Sequence, residues 1–286
     1  MRKHLFFIPV LITVLGSTTV SVVSHAEPLP PDEIFAKDNL VAWCIVPFDA
    51  KRRDSTARAE MLNRLGISKM AYDWREEHVP TFEDEILACK NHGIEFFAFW
   101  SWHPEMAALI KKHGVKPQIW MTAPSPRGVT GEERVAAAAR GIQPLVQETR
   151  VLGCQLGLYN HGGWGGQPQN LVAVCKFLRK NHDAQHVGIV YNFHHAHDHI
   201  DDFAQSLQII RPYLLCLNLN GMNDNAQPKI VPLGKGKHEK KMLQIVLESG
   251  YRGPIGIIDH RSDVDAEQSL RENLEGLRTL RQQIEN

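Results

Sequence analysis

The chain has no excess charge of either sign: 32 lysines and arginines balance 32 aspartates and glutamates over 286 residues. Without a basic surplus, nothing argues for nucleic acid or an anionic membrane as a partner. Cysteine is scarce as well. The five, Cys44, Cys89, Cys154, Cys175 and Cys216, sit singly inside apolar segments, and no pair has metal-type spacing. They read as small buried hydrophobes rather than as a disulfide framework. No Gly-x-Gly-x-x-Gly follows the first strand candidate, and the Gly234 to Lys237 loop lacks Walker spacing, so neither common nucleotide cradle is present. Beyond the first 26 residues, no stretch is long and apolar enough to span a bilayer.

Those first residues have a different character. Arg2, Lys3 and His4 form a basic start, Leu5 to Leu15 is apolar, and Ser24 and Ala26 place small residues before Glu27. This is the layout of an export signal, too short in its apolar part for a spanning helix. The division expected is therefore a signal peptide over 1–26, a proline-containing lead over 27–39 and one folded domain over 40–286. The mature protein is expected to be periplasmic or secreted, with no membrane contact after cleavage.

What the rest contains is regular alternation. Strand candidates are Leu40–Phe48, Lys69–Trp74, Ile94–Trp102, Lys116–Thr122, Cys154–Asn160, Val187–Phe193, Leu214–Asn220 and Pro254–Asp259. Helix-like segments begin near Thr56, Phe82, Pro104, Glu132, Gln169, Ile200, Glu239 and Ala266. Gly66, Gly93, Gly114, Gly153 and Gly250 follow helix ends, where glycine takes the left-handed cap conformation at little cost. Eight strand–helix units at this spacing predict parallel βαβ pairing closed into a (β/α)8 barrel, an α/β TIM-type fold in a single domain. An open doubly wound sheet is the alternative.

A barrel of this kind collects its chemistry at the C-terminal ends of the strands. Five of the fifteen histidines, His161, His194, His195, His197 and His199, stand where apolar runs stop. The strand ends also supply Asp73, Arg75, Trp100, Trp102, His103, Asn160, Trp164, Asn192, Asn218, Asn220, Asp259 and His260. Aromatic planes among amides, carboxylates and imidazoles suit a polyhydroxylated ligand, whose C–H face stacks on rings and whose hydroxyls bond paired polar atoms. A small-molecule carbohydrate is the expected partner.

Several segments carry a family likeness. Gly157 to Gly163, the Asn192 and His195 step, and Pro232 to Gly236 followed by Ser249 to Pro254 resemble the sugar phosphate isomerase/epimerase family, the xylose-isomerase-like barrels that include hydroxypyruvate isomerase and tagatose/psicose epimerases. The resemblance implies a divalent metal held at four strand ends. Here the matching positions are Tyr159, Asn192, Asn218 and Asp259, which leave one carboxylate. Hard dications need several anionic oxygens, so no cofactor is expected, although His161, His195 and His260 leave room for a rebuilt, softer divalent site.

Two functions follow. One is an enzyme moving a proton next to a sugar carbonyl, by isomerisation, epimerisation or elimination on a keto-sugar or keto-glycoside. His195 and Asp259 would be its acid and base, with His161, Lys235 and Asn218 steadying the oxyanion. The remaining strand-end residues, His197 among them, would bind substrate. The other is a non-catalytic periplasmic sugar-binding or accessory protein on a degenerate barrel, suggested by the substituted ligand positions.

Overall fold

A computed structural model describes residues 31–258 and 260–285; the expected signal peptide, the start of the lead, the candidate acid–base residue Asp259 and Asn286 lie outside the described residues. Eight strands, β1 (Leu40–Trp43), β2 (Lys69–Asp73), β3 (Glu95–Trp100), β4 (Gln118–Thr122), β5 (Leu156–Tyr159), β6 (Val187–Asn192), β7 (Leu214–Leu219) and β8 (Ile255–Ile258), pair in sequence order. All pairings are parallel, and β1 meets β8 from Leu40 against Ile255 to Trp43 against Ile258, which closes the ring. The fold is a single (β/α)8 TIM barrel.

Nine α-helices are described: α1 (Pro31–Ile34), α2 (Ser55–Leu65), α3 (Phe82–Asn91), α4 (Pro104–His113), α5 (Gly131–Leu152), α6 (Pro168–His182), α7 (Phe203–Ile210), α8 (Glu239–Glu248) and α9 (Ala266–Glu285). Most start within a residue of the positions expected from sequence. At α2 the Asp54 carboxylate accepts from Ala57 N at 2.8 Å, a cap that contributes about 1 kcal/mol. The clearest difference follows β6, where two short 3-10 turns, Phe193–His195 and His197–His199, delay α7 to Phe203. β1 is also shorter than expected, ending at Trp43 instead of Phe48.

Strand pleating divides the core in two. Val41, Trp43, Ala71, Ala98, Trp120, Tyr159, Val190, Cys216 and Ile258 fill the barrel interior. Their alternate neighbours, including Ala42, Tyr72, Phe99, Leu158, Tyr191 and Leu217, pack outward against the helices. Small residues make room for the large interior rings. A Cβ on Gly157 would stand 2.6 Å from Val190 Cγ2 and 2.9 Å from Trp120 Cδ1, so only glycine fits beside that indole. Among the described residues no helix is long and apolar enough to cross a membrane.

Candidate functional site

The same pleat that puts Trp43 and Ala71 inside carries the next inward residues to the C-terminal mouth. There a cavity of about 300 Å³ is lined by Trp43, Cys44, Phe48, Asp73, Arg75, Trp100, Tyr159, His161, His194, His195, Ile230 and His260. Trp43 and Tyr159 form its floor. Trp43 Nε1 donates to the Tyr159 hydroxyl at 3.1 Å, and Asn192 Nδ2 donates to the same oxygen. Burial drives the phenol's pKa far above its ordinary value, so the group stays neutral. Trp100 leans on Tyr159 with ring centroids 4.7 Å apart and extends the aromatic surface upward.

Imidazoles make the facing wall. The rings of His161 and His195 are 4.3 Å apart, those of His194 and His195 4.7 Å, and those of His194 and His260 4.4 Å. Burial is the first cause that holds them neutral. It lowers His194 to about 2, His195 to about 3 and His260 to about 4, with neighbouring imidazoles and the charge of Lys229 adding to it. His194 Nδ1 is buried without a hydrogen-bond partner.

On the other side stands Asp73, only 2% exposed. Neither carboxylate oxygen completes a hydrogen bond. Burial raises its pKa to about 7 against the charge of Arg75 and the backbone N–H groups of Asp73 and Val46, which lie close to the carboxylate without completing a hydrogen bond. A buried carboxyl without a partner, poised near neutrality in a cavity, is the feature expected of a proton-transfer group.

Of the residues singled out from sequence, Asp73, Arg75, Trp100, His161, His195 and His260 line the cavity. The other candidates among the described residues stand outside that lining, and several of them hold neighbouring backbone instead. Asn160 clasps the neighbouring strand, donating to Asn192 O at 3.0 Å and accepting from Asn192 N at 2.8 Å. Asn192 accepts from His194 N at 2.9 Å, which shapes the turn that presents the histidines. Asn218 accepts from Cys216 Sγ at 3.4 Å in the barrel interior. Asn220 ties down the following loop through Gly221 O at 2.7 Å and Lys229 O at 3.1 Å. Trp102 and Trp164 pack on the outer core, and Arg134 lies over the Trp164 ring. His103 caps α4 by accepting from Glu105 N at 3.3 Å. His197 sits half-buried in the second 3-10 turn, outside the lining. Lys235 is exposed on its loop with its charge acting on Glu272, and Lys229 is the lysine whose field reaches the histidines. His194, one of the strand-end histidines noted from sequence, lines the cavity too, whereas sequence reasoning missed Cys44, for which the early end of β1 was the signal.

The metal positions implied by the family likeness can be tested on donor chemistry. Tyr159, Asn192 and Asn218 are neutral and buried, and the first two are bonded to each other. They do not fit a hard divalent cation, which seeks anionic oxygens. Among the described residues no three His, Cys, Asp or Glu side chains converge as a metal shell.

No curated protein matches the chain in sequence. Solved structures do match in fold. The 3-keto-D-glucoside 4-epimerase of E. coli is 15% identical with a TM-score of 0.59, over 86% of this chain and 99% of that one. A xylose isomerase domain-containing protein of Salmonella typhimurium is 13% identical at 0.64, over 84% and 97%. The D-psicose 3-epimerase of Clostridium cellulolyticum is 12% identical at 0.61, over 85% and 98%. The sequence model of the xylose isomerase-like TIM barrel matches residues 70–280, most of the chain, so this protein belongs to the xylose isomerase-like TIM barrel family.

Proposed function

We propose that this protein is a carbohydrate-active enzyme that removes a proton from a carbon next to a sugar carbonyl, with Asp73 as the base. One observation carries the reading: a buried, unpartnered carboxyl with a pKa of about 7 shares a cavity with imidazoles held neutral. A base works best when its pKa lies near the operating pH. Neutral imidazoles, for their part, present an N–H to a developing enolate oxygen without first gaining a proton. His194 and His195 take that role, which moves to Asp73 the proton abstraction that the sequence reading gave to the pair His195 and Asp259. Trp100 offers a face for the sugar's C–H surface, and His161, Arg75 and His260 reach its hydroxyls.

Support also comes from two fold neighbours that are, by name, epimerases of keto-sugars. No step is routed through a metal, since Tyr159, Asn192 and Asn218 do not suit a hard dication. The proposal includes an exported mature chain beginning at Glu27; intact mass from the native host that starts at Met1 would refute that part.

The test is solvent exchange. Keto-sugars and keto-glycosides incubated with the protein in deuterium oxide should gain deuterium at the carbon beside the carbonyl. Asp73→Asn should slow this by at least about a hundredfold. Saturable sugar binding by the wild-type protein without any exchange would instead establish the non-catalytic binder.

A further inference from the structure

Cys44 is the one cysteine that reaches the cavity. Cys89, Cys154, Cys175 and Cys216 are buried elsewhere, and burial raises their thiol pKa values. Cys44 stands just past the end of β1 with φ at 60°, a backbone conformation that residues with a Cβ rarely adopt. Sγ lies 3.0 Å from His260 Nε2, within hydrogen-bond distance. His260 is itself fixed between Phe48, at 4.8 Å between ring centroids, and His194, at 4.4 Å. A thiol and an imidazole bonded to each other in a ligand cavity form an acid–base pair, and the proton-abstraction reading gives its thiol no task.

We propose that Cys44, oriented by His260, is the general acid that protonates a departing oxygen, so that the enzyme carries out β-elimination on a keto-glycoside. This rests on Asp73 acting as the base. Asp73 ends β2 and Cys44 follows β1, and these strands are neighbours in the ring. Base and thiol therefore line the same side of the cavity. Epimerisation would instead need its acid across the ring from β2, after β6, where His194 and His195 stand uncharged. In the elimination the C–H bond breaks, its proton passes to the Asp73 carboxylate, and its electron pair becomes the new C=C bond. The neighbouring C–O bond breaks with its electrons on oxygen. That oxygen takes the proton of Cys44 and leaves as an alcohol. The proton held by Asp73 then returns to the thiolate through water, which restores both groups.

The probes are methyl and 4-nitrophenyl 3-keto-glucosides, in which the C3 carbonyl acidifies C2–H and the aglycone oxygen leaves C1. A nitrophenolate departs without a proton, whereas a methoxide does not. Cys44→Ala should slow elimination of the methyl glycoside by at least about a hundredfold and that of the nitrophenyl glycoside by less than about tenfold. Deuterium exchange at C2 should persist. Cys44→Ser, closer in size but a weaker acid, should fall between, and circular dichroism with thermal melting shows that both variants fold. An equal loss on both substrates, no loss on the methyl glycoside, or an epimer as the wild-type product would overturn the proposal. Wild-type exchange at C2 without elimination defeats this inference alone. Absence of exchange defeats the proton-abstraction reading, and this inference with it.

Discussion

Arg75 lies two residues past Asp73 and lines the same cavity, yet the two make no ion pair. Arg75 Nη1 donates to the Trp74 carbonyl at 2.7 Å, its guanidinium stands 5.8 Å from the Phe48 ring centroid, and both Asp73 oxygens remain unpartnered. A bidentate bridge would have locked the carboxylate in its ionised form and lowered its basicity. Withholding the arginine keeps Asp73 titrating near neutrality.

That arrangement costs stability, and the cost depends on pH. The folded pKa of about 7 exceeds the unfolded 3.8, so between those values the native state holds a proton that the unfolded chain has released. Stability is then lost as pH rises through this window, by up to about 4 kcal/mol. Asp73→Asn removes the ionisation at nearly constant volume. The variant should melt above the wild type at pH 8, with the gap closing towards pH 4. A pH-independent gap in thermal melts would contradict the assignment.

The histidine wall has the opposite sign. His194, His195 and His260 are held at about 2, 3 and 4, all below the ordinary value of 6.5. Below about pH 6.5 the unfolded chain takes up protons that the native site refuses, so stability falls as pH falls. Urea midpoints measured from pH 7 to pH 4 should decline steeply. Combined replacement of His194 and His195 by Asn should flatten that decline, and an unchanged slope would place the acid sensitivity elsewhere.

Gly157 is a packing prediction. Alanine there would press on Val190 and on the Trp120 indole beneath the cavity floor. A loss of about 1–3 kcal/mol is expected for such overpacking, read from urea denaturation at neutral pH. A neutral Gly157→Ala would mean that Trp120 can retreat and that the floor is softer than its packing indicates.

Chelation tests the donor argument. Neutral amides and a protonated phenol replace the hydration of magnesium or manganese poorly, so turnover should survive dialysis against a chelator. Elemental analysis of protein purified without chelator should find neither ion near stoichiometry. Activity that vanishes on dialysis and returns with added metal would show that the site recruits a dication after all.

Local sequence signals were enough to define the eight-unit barrel and the mouth that carries the chemistry. Alternating apolar runs, glycine stops such as Gly66 and Gly153, and polar strand ends are local signals, each set by backbone preference and hydrophobic period. It also showed that Tyr159, Asn192 and Asn218 cannot supply a charged ligand shell, because residue type alone fixes that chemistry. Tertiary structure decided which strand-end residues enter the cavity. Side chains alternate across a strand, so a small change in where a strand stops exchanges inward for outward positions. Trp100 therefore faces the ligand space while Trp102 packs outward, and the end of β1 at Trp43 brings Cys44 to the cavity. Protonation also had to wait for the fold. The identities of Asp73 and His195 set only their unperturbed pKa values, whereas burial, the withheld Arg75 and the field of Lys229 make one titrate near neutrality and keep the other uncharged.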